Sequence, residues 1–304
     1  MEEALTISTI SQAHRLLGMS SPQHPLVSVT RPRDFRQVAA FQQRKVVVQL
    51  WQVELKGAGC GPLQYGRSTY DYQEGTLLFT APGQVKRYDN AHEVEEEDTD
   101  GWALSFDPDL IRKSPLADKI SQYSFFSYAV NEALHVSAQE LATLEELLAK
   151  IEQEYSRPPD RHSQSLIISN IELLLDYCLR YYDRQFIARS NQNGDVMSKF
   201  EQVLQTYYDS GQVAERGVPT VTYSAQELSL STSYLSDLLK KETGKTAQEH
   251  IHHFVLEKAK TSLLNSTDSI SQVGYALGFD YPQRFSNFFK AKTGMSPKEY
   301  RNVN

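Results

Sequence analysis

Apolar positions change their period along the chain, and the changes divide it. Residues 45 to about 106 read as strands. KVVVQLWQVEL is rich in β-branched and aromatic residues, and Gly66, Gly75 and Gly83 punctuate YGRSTYDYQEGTLLFTAPGQVKRY every eight or nine residues. Short strands at that spacing predict a sandwich or barrel. From Ser137 the period is helical: Ser137 and Glu140 suit a capping box, and Leu141, Leu144, Leu148, Ile151 and Tyr155 continue a stripe. After Pro158-Pro159, residues 161 to 187 carry an apolar band too wide for a helix with one buried side. RSNQNGD, residues 189 to 195, is polar and Gly-containing and reads as a linker.

The last third contains a repeat. LSDLLKKETGKTAQE (235–249) falls on FSNFFKAKTGMSPKE (285–299) at an offset of 50, so that Leu235, Leu238 and Leu239 stand where Phe285, Phe288 and Phe289 stand. Upstream the offset becomes 49, pairing Thr220 with Ser269, Ala225 with Gly274 and Leu228 with Leu277. One residue has been added in a turn, where insertion costs least. Each unit predicts two short helices. In the second, Ser269 and Gln272 form a capping box, Gly278 stops the first helix, Pro282 opens the next, and Gly294 ends it. A small residue at Ala225 and Gly274 allows two helices to cross closely, as in a helix-turn-helix. Residues 246 to about 264 predict one connecting helix, a rod of roughly 27 Å. Such a rod suits two recognition helices set about 34 Å apart, one turn of duplex.

At 304 residues the chain is long enough for two domains. It has no apolar run of the roughly 18–20 residues that a membrane span needs, and MEEALTISTI lacks a secretory pattern; a cytoplasmic protein is expected. The net charge of −7 is uneven. From Met197 onward there are 12 basic and 11 acidic residues, and from Tyr281 onward five and one. A local basic patch is what a phosphate backbone responds to. Cys60 and Cys178 are too far apart in sequence to suggest a metal or disulfide framework. In EHIHHF only His250 and His253 share a helix face, with no third ligand, so no metal or other cofactor is expected.

The run GFDYPQRFSNFFKAKTGMSPKEYR, with LSTSYLSDLLKKETGKT before it, closely resembles the DNA-binding domain of the AraC/XylS family of transcription regulators. The resemblance covers about Met197 to Arg301. EGTLLFTAPGQV resembles, more weakly, the cupin-like sensor domain that precedes it in that family. It implies a two-domain α+β protein: an N-terminal arm (1–24), a cupin-like β-barrel (25–112), a helical connector that makes a homodimer (113–188), a linker (189–196) and a DNA-binding domain (197–304). The two helix-turn-helix units would span 220–242 and 269–292. Double-stranded DNA is the implied partner, with a small-molecule effector bound in front.

Within the second recognition helix, Gln283, Arg284 and Asn287 oppose the phenylalanines and are types suited to paired hydrogen bonds with purines. Gln283 and Asn287 match the family's base contacts; Pro282 at a third such position has lost its donor. Lys290 and Lys292 suit phosphates. In the first, Thr232, Ser233, Ser236 and Asp237 are exposed, followed by Lys240 and Lys241; Ser233, Ser236 and Asp237 match family contact positions. Asp accepts from cytosine but repels phosphate, so weaker or water-mediated reading is expected here. Gly274, where Ala is usual, costs up to about 1 kcal/mol of helix propensity. In the barrel, Trp51, Tyr65, Tyr70, Tyr72 and Trp102 are the candidates to line a ligand pocket. A metal-dependent cupin enzyme would need clustered histidines, and His24 and His92 are isolated. A scaffold that binds protein through the same helical pairs is the competing class.

Overall fold

A computed structural model describes residues 5–35, 45–56, 64–65, 68–69, 75–87, 101–129, 132–193 and 196–303. They fall into two units, Met1–Gln185 and Phe186–Asn304. The first is a β-sheet region with helices and the second is all helical, a mixed α+β chain.

In chain order the first unit has β1 (Leu5–Ile7), α1 (Ile10–Leu16), β2 (Val27–Thr30), β3 (Lys45–Val48), β4 (Trp51–Lys56), β5 (Gln64–Tyr65), β6 (Ser68–Thr69), β7 (Thr76–Thr80), β8 (Gln84–Arg87) and β9 (Trp102–Phe106). Short helices α2 (Pro108–Ile111) and α3 (Pro115–Lys119), strand β10 (Leu134–His135) and the long helices α4 (Ala138–Tyr155) and α5 (Ser163–Asn193) follow. The main sheet runs β10-β7-β4-β9-β2 and is antiparallel throughout. A second sheet runs β1-β3-β8, and β5 pairs with β6. KVVVQLWQVEL is therefore two strands in different sheets. Gln49 leaves the ladder by donating to the Ile7 carbonyl at 2.8 Å, and Leu50 is buried beside Ile7, Ile10, Val46 and Val48.

The register gives the main sheet two different faces. Trp51, Val53 and Leu55 pair with Phe106, Leu104 and Trp102, so all six side chains share one face. Helical turns cover it: the Trp51 ring meets Phe126 edge-on at 4.7 Å, and Phe79 meets Phe125 at 4.4 Å and Tyr182 of α5 at 5.9 Å. The opposite face is polar yet largely buried, with Ser28, Thr30, Thr76, Thr80 and Ser105 on it. Lys86, from the second sheet, donates to Gln52 and Glu54 at 2.8 Å each, and Gln52 donates to Ser105 at 3.0 Å. Burial alone would push the Glu54 carboxyl up. The Lys86 charge and hydrogen bond, with Lys56, outweigh it and hold the group below its ordinary range. Lys86, Gln52, Glu54 and Ser105 thus form one polar network on that face.

The expected capping box at Ser137 and Glu140 opens α4. Helix α5 begins after the Asp160 side chain accepts from the backbone of His162 and Ser163, and it runs to Asn193. Residues 189–193, expected as the start of a linker, lie within it, since no Gly or Pro interrupts the chain before Gly194.

The second unit contains α6 (Val196–Asp209), α7 (Gln212–Arg216), α8 (Val221–Glu227), α9 (Thr232–Thr243), α10 (Ala247–Asn265), α11 (Ile270–Ala276), α12 (Pro282–Thr293) and α13 (Pro297–Val303). Two apolar clusters hold it. One gathers Phe200, Leu204, Leu235, Leu239, Ile251 and Val255; the other gathers Ala259, Leu263, Val273, Leu277, Phe285 and Phe289. Helix α10 supplies both, and Tyr208, Phe279 and Phe288 border each. Among the described residues no helix is long and apolar enough to cross a membrane.

Candidate nucleic-acid interface

The repeat seen in the sequence recurs in the hydrogen bonds of the turns and helix ends. Thr220 caps α8 through the Tyr223 amide, and Ser269 caps α11 through the Gln272 amide. In each turn one amide reaches back five residues: Leu230 donates to Ala225 at 2.9 Å and Phe279 to Gly274 at 3.0 Å. Ser229 and Gly278 hold the equivalent left-handed position, with φ of 57° and 91°. The added residue is Asp280, since Ser231 and Tyr281 are the following N-cap positions. Gly244 and Gly294 end α9 and α12 in the left-handed region, and Thr243 and Thr293 each bond back to a carbonyl four residues earlier at 2.8 Å. Thr246–Glu249 and Ser296–Glu299 then form matching reciprocal caps. Backbone and side-chain hydrogen bonds from the caps hold both glutamates below the ordinary carboxylate range.

Gly274 has a packing reason. A Cβ there would sit 3.2 Å from the Phe285 Cβ, where the first unit packs Ala225 against the slimmer Leu235. The Phe285 Cβ and ring together take the space of a methyl. Phe285 and Phe289 are fully buried while Phe288 is only half-buried, so the phenylalanine face is narrower than the expected three.

On α12, Gln283, Arg284, Asn287, Lys290 and Lys292 are all exposed. Gln283 and Asn287 share one face and bond each other at 3.1 Å. Arg284 lies at the edge of the exposed arc, its guanidinium 5.6 Å from the Tyr281 ring and 3.6 Å from Asp280. On α9, Thr232, Lys240 and Lys241 are exposed, while Ser233, Ser236 and Asp237 are half-buried. Helices α9 and α12 thus each carry polar side chains along one side and lysines in the last turn.

Among the pocket candidates, Trp51 and Trp102 sit on the apolar face of the main sheet, under the helical layer. Trp102 is 4% exposed, and among the described residues its indole Nε1 has no hydrogen-bond partner. Tyr65 lies in β5, its side chain outside the described residues, as are Tyr70 and Tyr72 entirely. Cys178 is buried in α5, which pushes its thiol up, and Cys60 is outside the described residues. His250 bonds Thr243 at 2.7 Å and His252 bonds Gln248 at 2.9 Å; among the described residues no group of three or more His, Cys, Asp or Glu could hold a metal.

Sequence reasoning missed the clamp around the second turn. Tyr208 of α6 donates to the Leu277 carbonyl at 3.1 Å, and Tyr207 donates to Gly217 at 3.0 Å. Gly217 in turn abuts Gly278: a Cβ on Gly278 would lie 2.5 Å from the Gly217 carbonyl carbon. In the sequence Arg301 stands only at the end of a motif. Its Nε donates to Leu263 at 2.9 Å and its Nη1 to Asp268 at 2.7 Å, closing the C-terminal end of α10.

Two helix–turn–helix pairs on one connecting helix define a tandem helix-turn-helix module. Residues 224–302 match the family model described as "Helix-turn-helix domain". This C-terminal region resembles the AraC type of that domain. The HTH-type transcriptional regulator YobQ of Bacillus subtilis is 40% identical over 71 residues, covering 23% of this chain and 30% of its own length. YijO of Escherichia coli, also an HTH-type transcriptional regulator, is 26% identical over 194 residues, 63% of this chain and 64% of its own. The xylose operon regulatory protein of Escherichia coli is 39% identical over 75 residues, 25% and 19% respectively. The chain thus spans less than two thirds of each of these relatives, all of them regulators by name.

Proposed function

We propose that the chain is a sequence-specific DNA-binding transcription regulator. The observation that carries this reading is the duplicated helix–turn–helix, in which two short helices present equivalent polar fronts from one connecting helix. Gln283, Arg284 and Asn287 would read bases from the second helix, and Ser233, Ser236 and Asp237 from the first. Lys240, Lys241, Lys290 and Lys292 would hold phosphates. In this reading residues 197–304 are the DNA-binding domain, 25–112 a cupin-like barrel that senses a small molecule and 113–188 a connector, acting in the cytoplasm.

A homodimer through the connector completes the proposal. Leu166 and Leu173, seven residues apart on α5, are 48% and 45% exposed and would be covered in such a dimer. Dimer or effector state would set how the readers meet DNA. Duplex from upstream of the chain's own coding region tests the reading: Arg284→Ala should lose about 1–3 kcal/mol of preference over scrambled duplex. An equal loss on both duplexes would make Arg284 a phosphate contact, and no binding to either by the parent would favour the protein-binding scaffold.

A further inference from the structure

A groove of about 370 Å³ opens within the helical unit, between the end of α7, the middle of α10 and the second turn. Its floor is apolar: Val218, Val255, Phe279 and Phe288, with the last two rings 5.4 Å apart. Its rim is cationic or polar: Arg216, His252 and Arg284. Asp280 is the one acid among the lining residues, and it is held only at 3.6 Å from Arg284, with both side chains about 70% exposed. Among the described residues Arg216 has no ion-pair partner. The His252 ring stands 5.5 Å from Phe288, and burial and the nearby Lys292 charge keep it from protonating easily. An apolar floor with two underused guanidiniums at its edge matches an amphipathic anion, because apolar lining supplies affinity and a few placed charges fix orientation.

We infer that this groove binds a small aromatic carboxylate, whose ring lies on Phe279 and Phe288 and whose carboxylate pairs with Arg216 and Arg284. Its size and apolar floor favour a small molecule over a DNA phosphate, which has no apolar body to bury. Such a ligand would hold Arg284 at the edge of α12 and away from a base. Binding of the anion and of DNA then oppose each other by equal factors. This consequence rests on the regulator reading, but the binding itself does not.

The test uses the full chain and 1-naphthoate, titrated calorimetrically without DNA. Saturable one-to-one binding is expected, weakened about tenfold in Arg216→Ala and in Arg284→Ala, the scale of a lost charge-assisted contact. The uncharged 1-naphthamide should bind about tenfold more weakly than the acid, for the same reason. Equal affinity of parent and Arg216→Ala, equal affinity of acid and amide, or no saturable binding would each overturn the site. So would a parent blind to naphthoate whose duplex binding falls in Arg216→Ala, which would assign the rim to DNA phosphate. Naphthoate binding that persists in a protein with no duplex binding would uphold the site and reject the regulator reading alone.

Discussion

Replacing Gly278 by Ala isolates the packing that locks the second turn. Two costs add. A φ of 91° puts an L-residue in the left-handed region at about 1–2 kcal/mol. The new Cβ would also lie 2.5 Å from the Gly217 carbon and 2.7 Å from the Val218 nitrogen, both backbone atoms that no rotamer can move. Relief requires shifting the 217–218 segment, which Tyr207 holds by its 3.0 Å bond to Gly217, and losing that bond adds about 1 kcal/mol. The sum is about 2–3 kcal/mol, or roughly 30- to 150-fold in an opening equilibrium. Hydrogen exchange on the full chain reads it at the Leu277 and Phe279 amides, whose acceptors lie at 3.1 and 3.0 Å in the same turn. The first unit supplies the control. Ser229 already holds a φ of 57°, so a side chain is tolerated there and the left-handed backbone alone is not decisive. Exchange in Gly278→Ala within about 0.5 kcal/mol of the parent, the ordinary spread of neutral changes, would refute the clamp.

Two further predictions concern stability. Arg301→Ala removes two charged donors from the Leu263 and Asp268 carbonyls and should cost about 2–3 kcal/mol, read as faster exchange confined to α13 and the end of α10; unchanged exchange there would reject the role. Burial, the largest cause, lowers the pKa of both His250 and His252, so the unfolded chain binds more protons between the folded values and 6.5. Their stabilising effect is whole above pH 6.5 and is lost as pH falls through the folded values. The capping glutamates, also held low, add a second loss below their ordinary value of 4.5. Helical-unit unfolding by urea should therefore weaken on acidification in two stages, and a midpoint flat from pH 7 to pH 4 would contradict this.

Local signals carried much of the helical unit. Caps at Thr246 and Ser269, glycine stops at Gly244 and Gly294 and Pro282 at a helix start are all set by the nearest few residues, so they were legible. The clamp was not, because Tyr208 and Leu277 are 69 residues apart and nothing in either neighbourhood names the other. Gly274 was legible as a departure, but its cause, the Phe285 ring, becomes visible only once the two helices cross. The main sheet misleads for a different reason. Alternation assigns its polar face to water, whereas Lys86 of the second sheet folds over Gln52 and Glu54, more than thirty residues away. Trp51 and Trp102 were legible as large aromatics but not as members of the helix-covered face, since register decides that.

The central claim is that two readers act as one module on one face of a duplex. Helix α10, 19 residues long, is a rod of about 28 Å between them. A hydroxyl-radical footprint of the full chain on its upstream duplex tests this most directly. The account predicts two protected segments about 10 base pairs apart on the same face, weakening together as salt rises. A single protected segment, two on opposite faces, or protection indifferent to salt would contradict it.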